Sequence, residues 1–344
     1  MDLSFVDLAP IPEGGTATEA FENTVKRARQ AEKLGYSRVW VAEHHDFVDR
    51  IASTTPEVLM AYLAAKTSDI RIGSGTILLN HYSPYKVAET AGVLDALAPD
   101  RIDLGLGRAT GNPVSDYALQ EERSEQRRET DYADKIEEVA AHLYNGFDDD
   151  HRFSELSLAR SQDSIPDIWV LGSSPSSAAI AGELGLRYCF AAFIRPKPAV
   201  KAFEVYQDRF QPSSFGAGPE EPQGMLAVNV TCAETDEEAA ELRAVTEAAH
   251  QRLQRGITDR PPIRSVETAI NELGYVPEPM STPIVPGEWP RQISGSPTTV
   301  RDLLEQMTSQ TGVDEVIVQN QIADLDDELR SHELLADAVN LTPR

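Results

Sequence analysis

Arg38-Val39-Trp40-Val41-Ala42-Glu43-His44-His45 is the stretch on which the reading of this 344-residue chain turns. Val39 to Ala42 is a short apolar run of β-branched and aromatic character, the composition of a buried strand. Before it lies an amphipathic stretch from about Thr18 to Leu34, stopped by Gly35. After it the chain breaks into a carboxylate and two imidazoles. A helix, a strand and a polar strand end make one unit of an alternating α/β fold.

The unit recurs in both directions. Strands are predicted at Leu3–Leu8, Arg38–Ala42, Ile70–Leu79, Ile102–Leu106, Ile168–Leu171, Tyr188–Phe193, Met225–Thr231 and Val313–Asn320, with helical periodicity between them. That alternation predicts a closed (β/α)8 TIM barrel, a single domain over residues 1–344. A doubly wound open sheet is the rival, but no G-x-G-x-x-G follows the first strand. Thr55-Pro56, Ser83-Pro84, Ser174-Pro175 and Ser296-Pro297 each place a hydroxyl before a proline, a helix start with an expected side-chain cap. Two insertions interrupt the rhythm. Residues 145–166 are expected to form a polar surface excursion. The proline-rich stretch 256–297, before the helix taken as the last of the barrel, is expected to be structureless and either functional or mobile.

Acidic residues number 56 against 31 basic, a formal net charge of -25. Such a surface repels nucleic acid and anionic membranes. The acids are dispersed along helices and lysine is scarce, which points to a halophilic, salt-rich cytoplasm where screening relieves self-repulsion, with an ordinary acidic protein as the alternative. No apolar run is long enough to span a bilayer and no signal-like segment opens the chain, so a cytoplasmic location is expected. Cys189 and Cys232 lie in apolar runs and read as buried thiols.

In a barrel the strand C-termini face the active site. Four such places carry chemistry. Glu43-His44-His45 offers acid/base groups, with metal binding as a rival; adjacent strand residues point to opposite faces and no second His/Asp cluster has ligand spacing, so no metal is assigned. Ile72-Gly73-Ser74-Gly75-Thr76 places glycines where a flat ligand can approach the backbone. Gly105-Leu106-Gly107-Arg108 ends in a cation. Leu171-Gly172-Ser173-Ser174 leads hydroxyls and backbone N–H groups into a helix N-terminus suited to phosphate.

Together with Val87-Ala88-Glu89 and Gly295-Ser296-Pro297, these motifs resemble the bacterial-luciferase-like flavin-dependent oxidoreductases, in order and from the first strand to the last helix. The resemblance implies an FMN-dependent monooxygenase. Reduced flavin from a separate flavin reductase would react with O2 and oxygenate a small organic substrate. Ser74 and Gly75 would lie against the flavin ring at a bulge associated with a cis peptide. Arg108, Leu171, Gly172, Ser173 and Ser174 would hold the phosphate end, and His44, beside Glu43 and His45, would sit at the reactive edge. Thr76 and Thr110 depart from the family's usual glycine and proline. The resemblance also implies a homodimer. Three alternatives stay open: hydride transfer with the deazaflavin F420 on the same barrel, a non-catalytic flavin-binding or dimer-partner subunit, and a metal-dependent hydrolase. The stretch 256–297 is the candidate lid.

Overall fold

β1 (Asp2–Asp7), α1 (Ala17–Leu34), β2 (Arg38–Val41) and α2 (Pro56–Ala64) begin the expected alternation in a computed structural model of the chain. It describes residues 1–47, 50–108, 113–119, 132–257, 261–280 and 283–343. β3 (Arg71–Ser74) and β4 (Ile77–Leu78) precede α3 (Pro84–Leu97) and β5 (Ile102–Gly107). Then come α4 (Pro113–Leu119), α5 (Tyr132–Tyr144), β6 (Asp167–Gly172), α6 (Pro175–Glu183), β7 (Arg187–Ala191) and α7 (Ala199–Arg209). β8 (Gly224–Cys232), α8 (Asp236–Gln254), α9 (Val266–Leu273), β9 (Gln292–Gly295), α10 (Pro297–Thr311), β10 (Glu315–Gln319) and α11 (Leu325–Ala338) complete the order. Among the described residues no helix is long and apolar enough to cross a membrane.

All strand pairs within the sheet are parallel, and the order β1-β2-β3-β5-β6-β7-β8-β10 returns to β1, closing the (β/α)8 barrel. Alternation along each strand builds two cores. Outward residues such as Phe5, Val39, Ile72, Leu104, Val170 and Phe190 pack under the helices. Inward residues Trp40, Trp169, Cys189, Met225, Ala227 and Ile317 fill the barrel. Fully burying side chains of this size contributes roughly 1.5–3 kcal/mol each.

Below that apolar layer, at the N-terminal end of the barrel, lies a charged floor. Arg71 bonds Asp103 at 2.8 Å and Asp167 at 2.9 Å, and Arg187 reaches Asp167 at 3.1 Å. Arg38 spans Asp103 and Glu315, and the Trp169 indole donates to Asp103 at 3.0 Å. Burial pushes the Asp167 and Glu315 carboxyls up, and the arginines pull them back. This end is the stability face of the fold.

Four details differ from expectation. First, the predicted single strand Ile70–Leu79 is two, β3 and β4, divided around a cis Gly75–Thr76 peptide at the bulge that the resemblance implies. Second, all four Ser/Thr-Pro pairs do open helices, but only Ser174 caps with its side chain; Thr55, Ser83 and Ser296 make no such bond. With proline at the first helical position, one of the orphan N–H groups of the helix start is already missing. Third, the stretch 256–297 is not structureless. It carries α9 and β9, buries Trp289 and ties that indole to Gln310 at 2.7 Å. Fourth, α10, opened by Ser296-Pro297, leads into β10, and a further helix, α11, follows it.

Residues 145–166 contain no helix or strand, as a surface excursion should not. They are pinned to the barrel helices even so. Ser164 donates to buried Asp95 at 2.8 Å, and Arg160 donates to the Leu143 carbonyl at 2.6 Å.

Candidate active site at the barrel mouth

Past Val41 the chain leaves the sheet but stays anchored. The Ala42 amide donates to Asp7 at 3.3 Å, the His44 amide to Ser53 at 2.9 Å, and the Ser53 hydroxyl returns to the Ala42 carbonyl. The Glu43 side chain is fully buried and accepts three bonds: from Tyr82 Oη at 2.6 Å, from His45 Nε2 at 2.7 Å and from the Leu78 amide at 2.8 Å. A buried carboxylate is tolerated when it is satisfied in this way. Glu43 is therefore an internal anchor joining the β2 end to β4, holding the His45 and Tyr82 side chains in place. Burial, followed by the bond to Glu43, drives the Tyr82 phenol well above its usual range.

His44 is differently placed. Its ring meets Phe47 edge-on at 6.2 Å, and its Nδ1 is buried with no hydrogen-bond partner among the described residues. Burial, and then the neighbouring His45 ring, hold its pKa below the ordinary histidine range. The imidazole is thus neutral near pH 7 and able to hold or pass a proton at an unengaged nitrogen. His45, with Nε2 on Glu43, lies 6.3 Å from His81. Glu57, in the first turn of α2, keeps Oε2 buried and without a hydrogen-bond partner among the described residues, and burial raises its carboxyl.

At β3 the glycines serve packing more than openness. A Cβ on Gly73 would stand 2.4 Å from the Trp40 indole, so that ring occupies the space expected for a flat ligand. Gly75 is half-buried, with the nearest atom to its own Cβ position, on Trp40, at 3.1 Å. Ser74 is fully buried. Its hydroxyl donates to the Gly105 carbonyl and accepts from the Gly105 amide, both at 2.9 Å, stapling β3 to β5 where the sheet breaks. Thr76 fills the side-chain position that Gly107 lacks, 2.4 Å from an ideal Cβ there.

Arg108 follows β5, exposed, with its guanidinium 5.8 Å from the Tyr132 ring centre. The register pairs Leu106 with Val170, so Arg108 continues level with Gly172 on the next strand. Leu171 packs on the interior apolar cluster. Gly172 has no room for a side chain, because Ser177 Oγ is 2.1 Å from its Cβ position. Ser174 accepts from the Ser177 amide at 3.4 Å and meets the Ser176 hydroxyl at 2.9 Å, setting the start of α6. Ser173 is half-buried beside them.

The predicted site residues therefore occupy one arc of the mouth, on the successive strands β2, β3, β5 and β6. His44, Gly75, Arg108 and the Leu171–Ser174 turn stand at strand ends, while Glu43 and Ser74 lie behind them as buried supports. Thr110 lies outside the described residues. Among the described residues no group of three or more His, Cys, Asp or Glu is placed to hold a metal. Trp40, Tyr82 and Glu57 were not named from sequence. Only Trp40, inside the quoted motif, carried a signal for it.

The fit to FMN can be tested on these groups. A cation and a helix N-terminus suit a phosphate, and Ala42, Gly75, Gly107 and Ala191 leave the inward rim low enough for a ring. An orphaned imidazole nitrogen stands at one flank. The residues present fit the cofactor.

The family model described as luciferase-like monooxygenase matches residues 1–315. The chain is 37% identical over 340 residues to the luciferase-like monooxygenase of Escherichia coli (strain K12), covering 97% of this chain and 96% of that one. It is also 37% identical over 340 residues to N-acetyl-S-alkylcysteine monooxygenase of Bacillus subtilis (strain 168), with 98% of each covered. The crystal structure of apo-MsnO8 matches with a TM-score of 0.86 at 40% identity, covering 100% of this chain and 99% of that one. Two more distant structures share the fold. One is the oxygenating constituent of 3,6-diketocamphane monooxygenase from Pseudomonas putida in complex with FMN (TM-score 0.69, 20% identity, 100% and 99% covered). The other is an F420-dependent secondary alcohol dehydrogenase (TM-score 0.64, 15% identity, 98% of each covered). With the barrel, its mouth and these matches agreeing over nearly the whole chain, the protein belongs to the luciferase-like monooxygenase family.

Proposed function

We propose that this protein is an FMN-dependent monooxygenase that receives reduced flavin from a separate reductase and oxygenates a small organic substrate with O2. The observation that carries the reading is the buried, unengaged Nδ1 of a neutral, half-buried His44 on the same arc of strand ends as Arg108 and the α6 N-terminus. The monooxygenase names of relatives at 37% identity support it over the F420 reading, whose named example is 15% identical. That the FMN-bound structure is the oxygenating constituent of its enzyme supports a separate reductase partner here. N-acetyl-S-alkylcysteines, from the name of one relative, are the first substrate class to try. Val58, Tyr62, Val93 and Leu97, exposed on the neighbouring helices α2 and α3, support pairing of two copies.

Bound reduced flavin would supply the electrons for O2 activation. Arg108 and the Gly172-Ser173-Ser174 turn would hold the phosphate, with the ring over Gly75 and Ala42. His44 would hold or pass a proton at the reacting edge. Glu43 would keep His45 and Tyr82 in register behind it, and the apolar interior under the rim would exclude water.

Titration with FMN, riboflavin and F420, followed by flavin fluorescence, tests the reading. FMN is expected to bind and F420 not to. F420 binding without FMN binding overturns the proposal. Arg108→Ala is expected to weaken FMN roughly 10–100-fold while leaving riboflavin unchanged, as loss of a charged phosphate contact should. Equal FMN affinity in that variant removes Arg108 from the phosphate site.

A further inference from the structure

The inward positions at the C-terminal rim are of two kinds. Just past β2 and β3, and at the ends of β5 and β7, they are Ala42, Gly75, Gly107 and Ala191, with no side-chain polar group. On β8 and β10 they are Asn229 and Gln319, each only 6% exposed and directly paired in register. Ala227 and Ile317, two residues earlier on each strand, lie in the barrel's interior cluster, so alternation aims both amides at the barrel axis. Asn229 is also a branch point: the last β8 residue paired with β10 and the first paired with β9, opposite Gln292.

Asn229 Oδ1 is buried with no hydrogen-bond partner among the described residues, and so is Ser294 Oγ on β9. An unpaired buried amide destabilises a fold, and such groups recur where a ligand or water completes them. Each amide offers a donor and an acceptor and no charge, the complement of another amide. This wall lies across the mouth from the arc formed by β2, β3, β5 and β6.

We propose that Asn229 and Gln319 form a subsite for a neutral amide or imide group on a ligand held in the mouth. The proposal rests on the flavin reading above. Two sources carry that chemistry: the imide edge of the flavin ring and an acylated amine on the organic substrate.

Asn229→Leu and Gln319→Leu keep side-chain bulk while removing the polar group. Wild type and both variants would be titrated with FMN and riboflavin by fluorescence, and with N-acetyl-S-methylcysteine and S-methylcysteine by calorimetry. If the flavin imide is the ligand, FMN and riboflavin lose affinity by the same factor, about ten-fold or more. If the substrate amide is the ligand, both flavins bind as before and only N-acetyl-S-methylcysteine weakens by that factor. Affinities within about two-fold of wild type for all ligands, in variants with a wild-type circular dichroism spectrum, overturn the proposal and leave the amides to bound water. Should the leucine variants not fold, Asn229→Ala and Gln319→Ala are read by the same criteria. Failure of wild type to bind either flavin sinks the FMN reading alone. The acetylated thioether then decides the subsite: weakening in the variants upholds it, and no binding or no change overturns it.

Discussion

Replacing His44 by alanine removes a buried imidazole nitrogen that has no hydrogen-bond partner among the described residues, while touching neither Arg108 nor the α6 N-terminus. FMN affinity is expected to stay within about two-fold and product formation with reduced FMN to fall by roughly 10²–10⁴, the usual range for a lost acid/base group. Wild-type turnover in this variant would take His44 out of the chemistry. At Gly73 the expected effect is on stability. Gly73→Ala drives a methyl to 2.4 Å from the Trp40 ring, and overpacking of that kind costs about 1–3 kcal/mol. Urea unfolding measures it, and a midpoint equal to wild type would mean that the indole moves aside freely. Glu43, His44 and His45 were legible because three polar groups follow an apolar run. Their division of labour was not. Periodicity places Glu43 at a strand end, but only the positions of Tyr82 and the Leu78 amide, distant in sequence, make it a buried anchor.

Among the elements, α11 docks through a buried polar group that invites a pH test. His332 is wholly buried against Phe5 and Tyr36, with both ring nitrogens unpartnered among the described residues. Burial, and then the charge of Arg27, lower its pKa to about 3. A histidine near 6.5 when unfolded and about 3 when folded stabilises the protein fully above pH 6.5, and that stability is lost as pH falls toward 3. The slope approaches ~1.4 kcal/mol per pH unit. Nearby Glu328 is raised by burial, while Arg27 donates to its Oε2 at 2.8 and 2.6 Å and favours the charged form. Comparing wild type with His332→Leu isolates the histidine. Between pH 6.5 and 4 the variant's stability should fall less steeply, and parallel curves would refute the assignment. The barrel strands were readable as apolar runs, but β9 was not. Gln292–Gly295 is four residues long, follows Pro290, and gains its identity only by pairing with β8. The break between β3 and β4 did not show in the periodicity, since Ile77 and Leu78 continue the same apolar pattern; only the family resemblance pointed to it, through the bulge it implies at Ser74 and Gly75.

For the whole molecule, the net charge of -25 makes stability a function of salt. Self-repulsion spread over a surface is screened over about 30 Å at 0.01 M but about 3 Å at 1 M. The melting temperature is expected to rise across that range, and a flat or falling trend would argue against a salt-adapted surface. Closure of the barrel followed from counting alternating units. How β8 is shared did not. Its Met225–Asn229 half pairs with β10 and completes the ring, while its Asn229–Cys232 half pairs with β9, and only Asn229 belongs to both ladders. Ring integrity and rim attachment thus draw on separate sets of backbone bonds. Loss of the β8–β9 ladder would withdraw no closing pair from the cylinder beneath it.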